Sequence, residues 1–304
     1  MLLARAAPRA LRLATAAATA TAAAACASEA SSSNRRPDDQ QTATAVSELH
    51  NSVKQMRGWE AMERFYGSAE RILIGYLGMS ADKDRRLNPQ AAEGLIAKTL
   101  AYRDEHDLDR QDVLRDIESA RCRSHWPYAF ADAAPDGSPV EVCRLSRLSV
   151  PRILADFPED EVVDFFALWC EQTLRLYGAG VRAGRGTKGS YHVYDCRDVR
   201  WKTLLYDVRT HWATVRRVIN VGQSHWPDLS NKYFVIHAPY MATFLWKVVT
   251  PLINEHTRHK VSFDGGVPAE LLQAVGGEEA VERMLECSPH VTRRASDGQQ
   301  QFAG

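Results

Sequence analysis

The sequence has 304 residues, 45% hydrophobic and 25% charged, and its 38 basic residues are balanced by 38 acidic ones. This length allows one large domain or two modest ones with a sizeable core. The zero net charge argues against non-specific nucleic-acid binding, which needs an excess of Lys and Arg. No apolar run is long enough for a transmembrane helix, so we predict only peripheral membrane contact.

The first 36 residues contain five arginines and a single acidic residue, Glu29. Arg5, Arg9 and Arg12 share one face of a predicted helix, a pattern typical of a transit peptide to a mitochondrion or plastid. A secretory signal ending near Ala27 and a plain tail on a cytoplasmic protein that touches membrane surfaces are the alternatives. Residues 37–45 are polar, so we predict that residues 1–45 are a disordered leader and linker.

Residues 46–121 predict a helical unit, because apolar residues recur there at helical spacing. Asn88 is a good N-cap for a helix that begins with Pro89. The predicted helices are Val46–Arg64, Ala69–Leu77, Pro89–Asp104 and Gln111–Ala120.

Strands and helices alternate over residues 122–285, which predicts an α/β fold with a mixed, mainly parallel sheet flanked by helices. The strand over residues 232–238 is nearly continuous in apolar and aromatic residues, so we expect both of its faces to be buried. The other predicted strands cover residues 140–145, 189–195 and 260–263, and the predicted helices are Val162–Tyr177, Lys202–Val221 and Ala238–Asn254. We predict a disordered tail over residues 286–304.

Several motifs of this region do not predict chemistry. Residues 178–183 fit the dinucleotide pattern G-x-G-x-x-A, but they follow a helix rather than a strand, and we interpret Gly178 as a helix C-cap. SHWP occurs twice, at residues 124–127 and 224–227, with unrelated flanks, which indicates two separate turns rather than a repeat or a histidine metal site. His192 and Asp195 form the best catalytic pair available, and it is weak. We therefore predict no enzyme activity and no metal site; the six cysteines contain no CxxC pair.

The helix predicted after residue 238 carries an apolar stripe at i, i+3, i+4, i+7 and i+8: Met241, Phe244, Leu245, Val248 and Val249. It is either a core helix or a helix with an apolar ligand on one side and a membrane on the other. Pro251 should bend its end. Beyond it, Thr257 and Lys260 are three residues apart, a spacing at which a hydroxyl and an ammonium can bind one phosphate.

These residues resemble the CRAL-TRIO lipid-binding domain family. The family pattern is a YPE corner, a strand ending in INAP, a helix with W-x-x-x-x-P-[FL], and T-x-x-K-I. The matching residues here are Trp226–Asp228, Ile236–Pro239, Trp246–Leu252 and Thr257–Val261. The resemblance covers about residues 60–285, with an additional DGRPV-like match at residues 136–140.

The resemblance implies a helical N-terminal unit and an α/β domain that encloses one lipid in an apolar cavity behind a gate helix at residues 240–253. It implies a monomer with no cofactor besides the lipid, whose headgroup contacts Asp228, Thr257 and Lys260. Residues 73–78 are the counterpart of the family's arginine-bearing element, but they contain no arginine. The predicted function is to bind a phospholipid, with phosphatidylinositol as a candidate, and to transfer or present it between membranes. A non-transporting lipid sensor and a carrier of a small non-phospholipid hydrophobe are the alternatives.

Overall fold

The computed structural model describes residues 39–81, 86–109 and 112–286. The predicted transit peptide and nearly all of the predicted tail lie outside these residues. The boundary of the leader was wrong, because a helix begins at Asp39 rather than Val46. This helix contributes Ala45 and Leu49 to a hydrophobic core, which stabilises a segment whose local composition is polar.

The N-terminal part is helical, as predicted. Asn88 caps its helix by accepting a hydrogen bond from the Ala91 amide over 3.0 Å. The predicted helix over residues 46–64 is two helices, because Gly58 adopts a φ of 90°, which interrupts the helix. The helices are α1 (Asp39–Val53), α2 (Trp59–Tyr66), α3 (Ala69–Ser80), α4 (Pro89–Glu105) and α5 (Val113–Ser119).

The second part is a five-stranded sheet with strand order β1-β2-β3-β4-β5, in which β1 runs antiparallel to β2 and the other pairs are parallel. The predicted fold class is therefore confirmed. The strands are β1 (Tyr128–Phe130), β2 (Val140–Arg144), β3 (Ser190–Asp195), β4 (Ser230–Ile236) and β5 (Val261–Phe263). The first of them was not predicted, since three residues are too few to show an alternating pattern.

The helices of this part are α6 (Val150–Asp156), α7 (Glu159–Arg182), α8 (Trp201–Thr210), α9 (Trp212–His225), α10 (Tyr240–Val249), α11 (Glu255–Arg258), α12 (Ala269–Val275) and α13 (Glu278–Glu286). The predicted helix over residues 202–221 is divided at His211 into α8 and α9. Pro251 lies in a 3-10 turn over residues 250–252 that follows α10, so the predicted α-helix ends earlier.

Gly178 is not a C-cap, because α7 continues to Arg182. A Cβ at Gly178 would lie only 2.0 Å from the backbone oxygen of Phe65 in α2. Glycine at this position therefore permits the close approach of α7 and α2 that joins the helical part to the sheet part.

The two faces of the sheet have different surroundings. One face packs on α12 and α13 through a core that includes Val142, Val193, Phe234 and Ile236. The opposite face forms part of a cavity wall, to which β4 contributes Ser230, Tyr233 and Val235. Residues 230–233 of β4 are only half-buried. The prediction that this strand is buried on both faces was wrong for that half, because apolar and aromatic residues can face a cavity as well as a core. No helix within the described residues is long and apolar enough to cross a membrane.

Candidate binding cavity

The cavity has a volume of about 450 Å³ and lies between the sheet and the helices α7, α8, α9 and α10. Its wall is mainly aliphatic and aromatic, and representative lining residues are Phe166, Trp169, Leu204, Val218, Leu245 and Val249. The volume falls within the range of about 300–1,000 Å³ that is usual for pockets that bind organic ligands.

Helix α10 is apolar on two faces. Ala242, Leu245, Trp246 and Val249 line the cavity at positions i, i+3, i+4 and i+7. Met241, Phe244 and Val248 point outward, and Phe244 is 43% exposed. The sequence placed five residues on one stripe; the structure divides them between the cavity (Leu245, Val249) and the outer surface (Met241, Phe244, Val248). The helix therefore separates the cavity from the exterior and is apolar toward both.

The three predicted headgroup residues are brought together where β4 begins. The Thr257 hydroxyl donates to Asp228 over 2.7 Å, and the Lys260 ammonium lies 3.2 Å from the same carboxylate. Lys260 also donates to the carbonyl oxygen of Ser230 over 2.7 Å. Burial alone would raise the pKa of Asp228, but Lys260, His256 and the Thr257 hydroxyl hold that pKa below its usual range. The corner is thus an ionised carboxylate and an ammonium that already satisfy each other.

Where the family has arginines, the part of α3 that faces this corner has the glycines Gly75 and Gly78. A Cβ at Gly75 would lie 3.0 Å from the side chain of Pro227, and one at Gly78 would lie 2.8 Å from the ring of His256. The helix therefore approaches the corner with its backbone, and the imidazole occupies the space beside it, 3.9 Å from Asp228. The positive charge near Asp228 comes from Lys260 rather than from α3, and the His256 imidazole lies beside the carboxylate.

A second polar group lies on the cavity face of the sheet. The register aligns Glu141, His192, Tyr233 and Val261 on β2 to β5. Because neighbouring strands are about 4.8 Å apart, these side chains form one row across the cavity wall. The rings of His192 and Tyr233 stack with centroids 4.5 Å apart.

Glu141 is fully buried and fully hydrogen-bonded. It accepts from Trp169 Nε1 over 3.0 Å and from the Thr173 hydroxyl, and His192 Nδ1 lies 3.5 Å away. Burial raises its pKa, but the charge and hydrogen bond of His192 and the hydrogen bonds from Thr173 and Trp169 outweigh that effect, so the net pKa is lowered. Sequence reasoning missed this residue: the strand Val-Glu-Val was recognised, but alternation does not say which face lines a cavity.

A third buried carboxylate, Glu171 of α7, holds the cavity's helical side to α4. It accepts from Arg103 over 2.6 Å, from the Tyr66 hydroxyl over 2.6 Å and from Trp226 Nε1 over 3.1 Å. Arg175 donates to its other oxygen over 2.8 Å. Trp226, from the second SHWP copy, is thereby fixed in the cavity wall.

The two SHWP copies occupy different corners of the fold. The first ends a 3-10 turn before β1, and its Trp126 packs against Phe165 with ring centroids 5.0 Å apart. The second ends α9. His192 and Asp195 do not form a pair, since His192 meets Glu141 whereas Asp195 pairs with Arg197 and His237. Within the described residues, no group of three or more His, Cys, Asp or Glu side chains is arranged to hold a metal ion.

Comparison with known proteins gives a family match over most of the sheet part. The model of the CRAL/TRIO domain matches residues 128–283. Protein real-time of Aedes aegypti is 24% identical over 184 residues, which are 60% of this chain and 28% of that protein. Phosphatidylinositol/phosphatidylcholine transfer protein SFH7 of Arabidopsis thaliana is 19% identical over 201 residues, 64% of this chain and 36% of that protein.

The crystal structure of Sfh5 superimposes with a TM-score of 0.50 and 13% sequence identity, covering 88% of this chain and 99% of that one. This likeness extends through the helical N-terminal part as well as the sheet. The chain spans only about a quarter of the length of the mosquito relatives.

Proposed function

The chain belongs to the CRAL/TRIO domain family, and we therefore propose that it binds a single lipid in its cavity and transfers or presents it between membranes. Members of this family are lipid-binding and lipid-transfer proteins. The observation that carries the proposal is α10, which separates an apolar cavity from the exterior and is apolar on both sides. A helix of this kind can cover a lipid and also lie against a bilayer.

The energetics explain why such a carrier is useful. Each buried methylene contributes about 0.8 kcal/mol, so a chain of ~16 carbons loses on the order of 12 kcal/mol on entering water. A cavity that replaces the bilayer environment removes most of that barrier. We propose α10 as the gate: it is preceded by His237, whose φ is 51°, and followed by the 3-10 turn that contains Pro251.

We propose a phospholipid as the ligand, with its headgroup near Asp228, Thr257 and Lys260. The name of the Arabidopsis relative includes both phosphatidylinositol and phosphatidylcholine, and the first of these is the candidate that the sequence motif favours. These two headgroups differ in net charge, so the charges around the cavity bear on the choice between them. The alternative function, a sensor that binds lipid without transferring it, uses the same cavity. A transfer assay distinguishes such a sensor from a carrier.

We further propose a monomer that touches membranes peripherally through the outward residues of α10. Delivery to an organelle by the N-terminal segment is a separate proposal, and a fluorescent protein fused behind residues 1–45 tests it. Accumulation of the fusion in mitochondria or plastids supports the proposal, and diffuse cytoplasmic fluorescence contradicts it.

Neighbouring valines of α10 provide a matched test of the carrier function. Val249 lines the cavity whereas Val248 is exposed on the outer face. We expect Val249→Trp to fill part of the cavity and to abolish co-purifying lipid and vesicle-to-vesicle transfer, and Val248→Trp to retain both. Mass spectrometry of extracted lipid and a fluorescent-lipid transfer assay measure the two properties. Equal lipid content in both variants would contradict the cavity as the binding site.

A further inference from the structure

The charges that line the cavity are unbalanced. Among the described residues in its wall, the carboxylates are Glu141 and Asp228, the one histidine is His192, and neither a lysine nor an arginine is included. Lys260 lies behind Asp228, and its ammonium is already bonded to that carboxylate and to the Ser230 carbonyl. The Asp228–Lys260 pair therefore contributes no net charge.

The remaining pair, Glu141 and His192, cannot supply positive charge either. With a neutral imidazole the pair carries one negative charge, and with a protonated imidazole it carries none. While His192 and the His256 imidazole beside Asp228 are both neutral, an anionic headgroup that enters the cavity meets one net negative charge and no surplus of positive charge. In a wall of low dielectric, an uncompensated like charge is costly over several ångströms.

Hydrogen-bonding groups for an uncharged polar end of a ligand are nevertheless present beside this row. His192 Nε2 lies 2.8 Å from the Ser190 hydroxyl and 3.1 Å from the Ser230 hydroxyl. The Ser230 hydroxyl is in turn 2.7 Å from the hydroxyl of Tyr233. These hydroxyls can rotate to donate to or accept from a ligand.

We propose that Glu141 is a specificity-determining residue that makes the cavity prefer lipids without net negative charge over anionic lipids. The inference rests on the proposed function, since it concerns which lipid the cavity takes. His192 is a positioning residue, because its ring connects Glu141 to the serine hydroxyls. The inference favours a zwitterionic or uncharged polar end and opposes phosphatidylinositol.

The test compares two lipids with identical acyl chains, phosphatidylcholine and phosphatidylglycerol, whose headgroups differ chiefly in net charge. The full-length protein is incubated with vesicles that contain both in equal amounts, re-isolated, and its bound lipid is quantified by mass spectrometry. We expect the wild type to favour phosphatidylcholine by roughly tenfold or more. Glu141→Gln replaces the carboxylate by an uncharged amide of the same shape. We expect it to reduce the preference for phosphatidylcholine by a similar factor.

A control variant separates the charge of Glu141 from charge elsewhere on the protein. Asp160→Asn removes a carboxylate that is 76% exposed and outside the cavity wall, so it should keep the preference. A wild type that takes phosphatidylglycerol as readily as phosphatidylcholine overturns the inference whether or not Glu141→Gln folds, and so does a folded Glu141→Gln protein with the wild-type preference. If the wild type binds neither lipid and takes up no other lipid from vesicles, the carrier function itself is overturned.

Discussion

Replacement of Glu171 by glutamine should strongly destabilise the protein, because it breaks the buried network between α4 and α7. The Glu171 side chain is fully buried and Arg103 is 2% exposed. Glutamine offers one carbonyl oxygen to the donors of Arg103, Arg175, Tyr66 and Trp226, and it turns an NH₂ group toward some of them. Arg103 would retain only Asp109 as a carboxylate partner, 2.6 Å away.

The expected loss of stability follows from the ion pair and from the pKa of Glu171. Removing one partner of a buried ion pair costs about 3–5 kcal/mol. Burial raises the pKa of Glu171, but Arg103, Arg175 and Tyr66 lower it to about 2. Compared with an unfolded value of about 4.3, that pKa corresponds to about 3 kcal/mol of stability at neutral pH. For a chain of this size, such a loss lowers the melting temperature by roughly 6–20 °C.

Urea unfolding of the wild type and of Glu171→Gln at matched lipid content measures the difference in the free energy of unfolding. A matched control is Arg57→Gln, since Arg57 pairs with Asp104 over 3.0 Å while 84% exposed; an exposed pair contributes less than about 1 kcal/mol. Because folding depresses the pKa of Glu171, the difference should be constant above about pH 5. It should shrink as the pH falls through about 4 and disappear below about 2, where the carboxylate is protonated in both states. A difference no larger than that of the control would refute the reasoning.

Three further predictions concern close contacts and the outer surface. Gly178→Ala should cost about 3 kcal/mol, because its methyl group meets the backbone of α2, whereas Gly94→Ala, at an exposed helical position with open space, should stabilise by up to about 1 kcal/mol in the same unfolding assay. Gly78→Ala should move the ring of His256 away from Asp228, which histidine-labelled NMR would detect; unchanged imidazole resonances would contradict that contact. Phe244→Ser should lower the affinity of the protein for vesicles roughly tenfold, measured by co-sedimentation, at an unchanged melting temperature. Undiminished co-sedimentation would exclude this face as the membrane contact.

The sequence was sufficient for the fold class because the alternation of strands and helices is local. The sequence was not sufficient for the role of Gly178, because glycine is favoured both at the ends of helices and where two helices approach closely. Glycine is favoured at a C-cap for its freedom at positive φ and inside α7 for its lack of a Cβ. Only the position of α2, which is a distant segment of the chain, decides between the two roles.

The contacts among Asp228, Thr257 and Lys260 could be anticipated because the resemblance to the CRAL-TRIO family named these residues, which lie within one run of the sequence, residues 228–260. The Glu141 row could not, because it takes one residue from each of four strands and depends on their register. A single glutamate between two valines is equally consistent with a solvent-facing position on a half-exposed strand. A buried charge is identified by the residues around it, and here Trp169 and Thr173 come from α7, which follows β2 after a 3-10 turn and α6.

The outward and inward apolar faces of α10 also explain why sequence periodicity placed on one stripe five residues that the structure divides between two faces. An amphipathic pattern identifies a buried face only by contrast with a polar one, and Lys247 provides the helix's only charge. A helix that separates an apolar cavity from an apolar exterior environment lacks that contrast, so the stripe of greatest hydrophobicity need not point inward. Phe244 and Val248 would be costly to expose permanently to water, and the cavity wall already contains Leu245 and Val249. The absence of a polar face therefore prevents periodicity from identifying the inward side of α10. It is also the property that a helix needs if it is to cover a lipid in water and to lie on a bilayer when that lipid leaves.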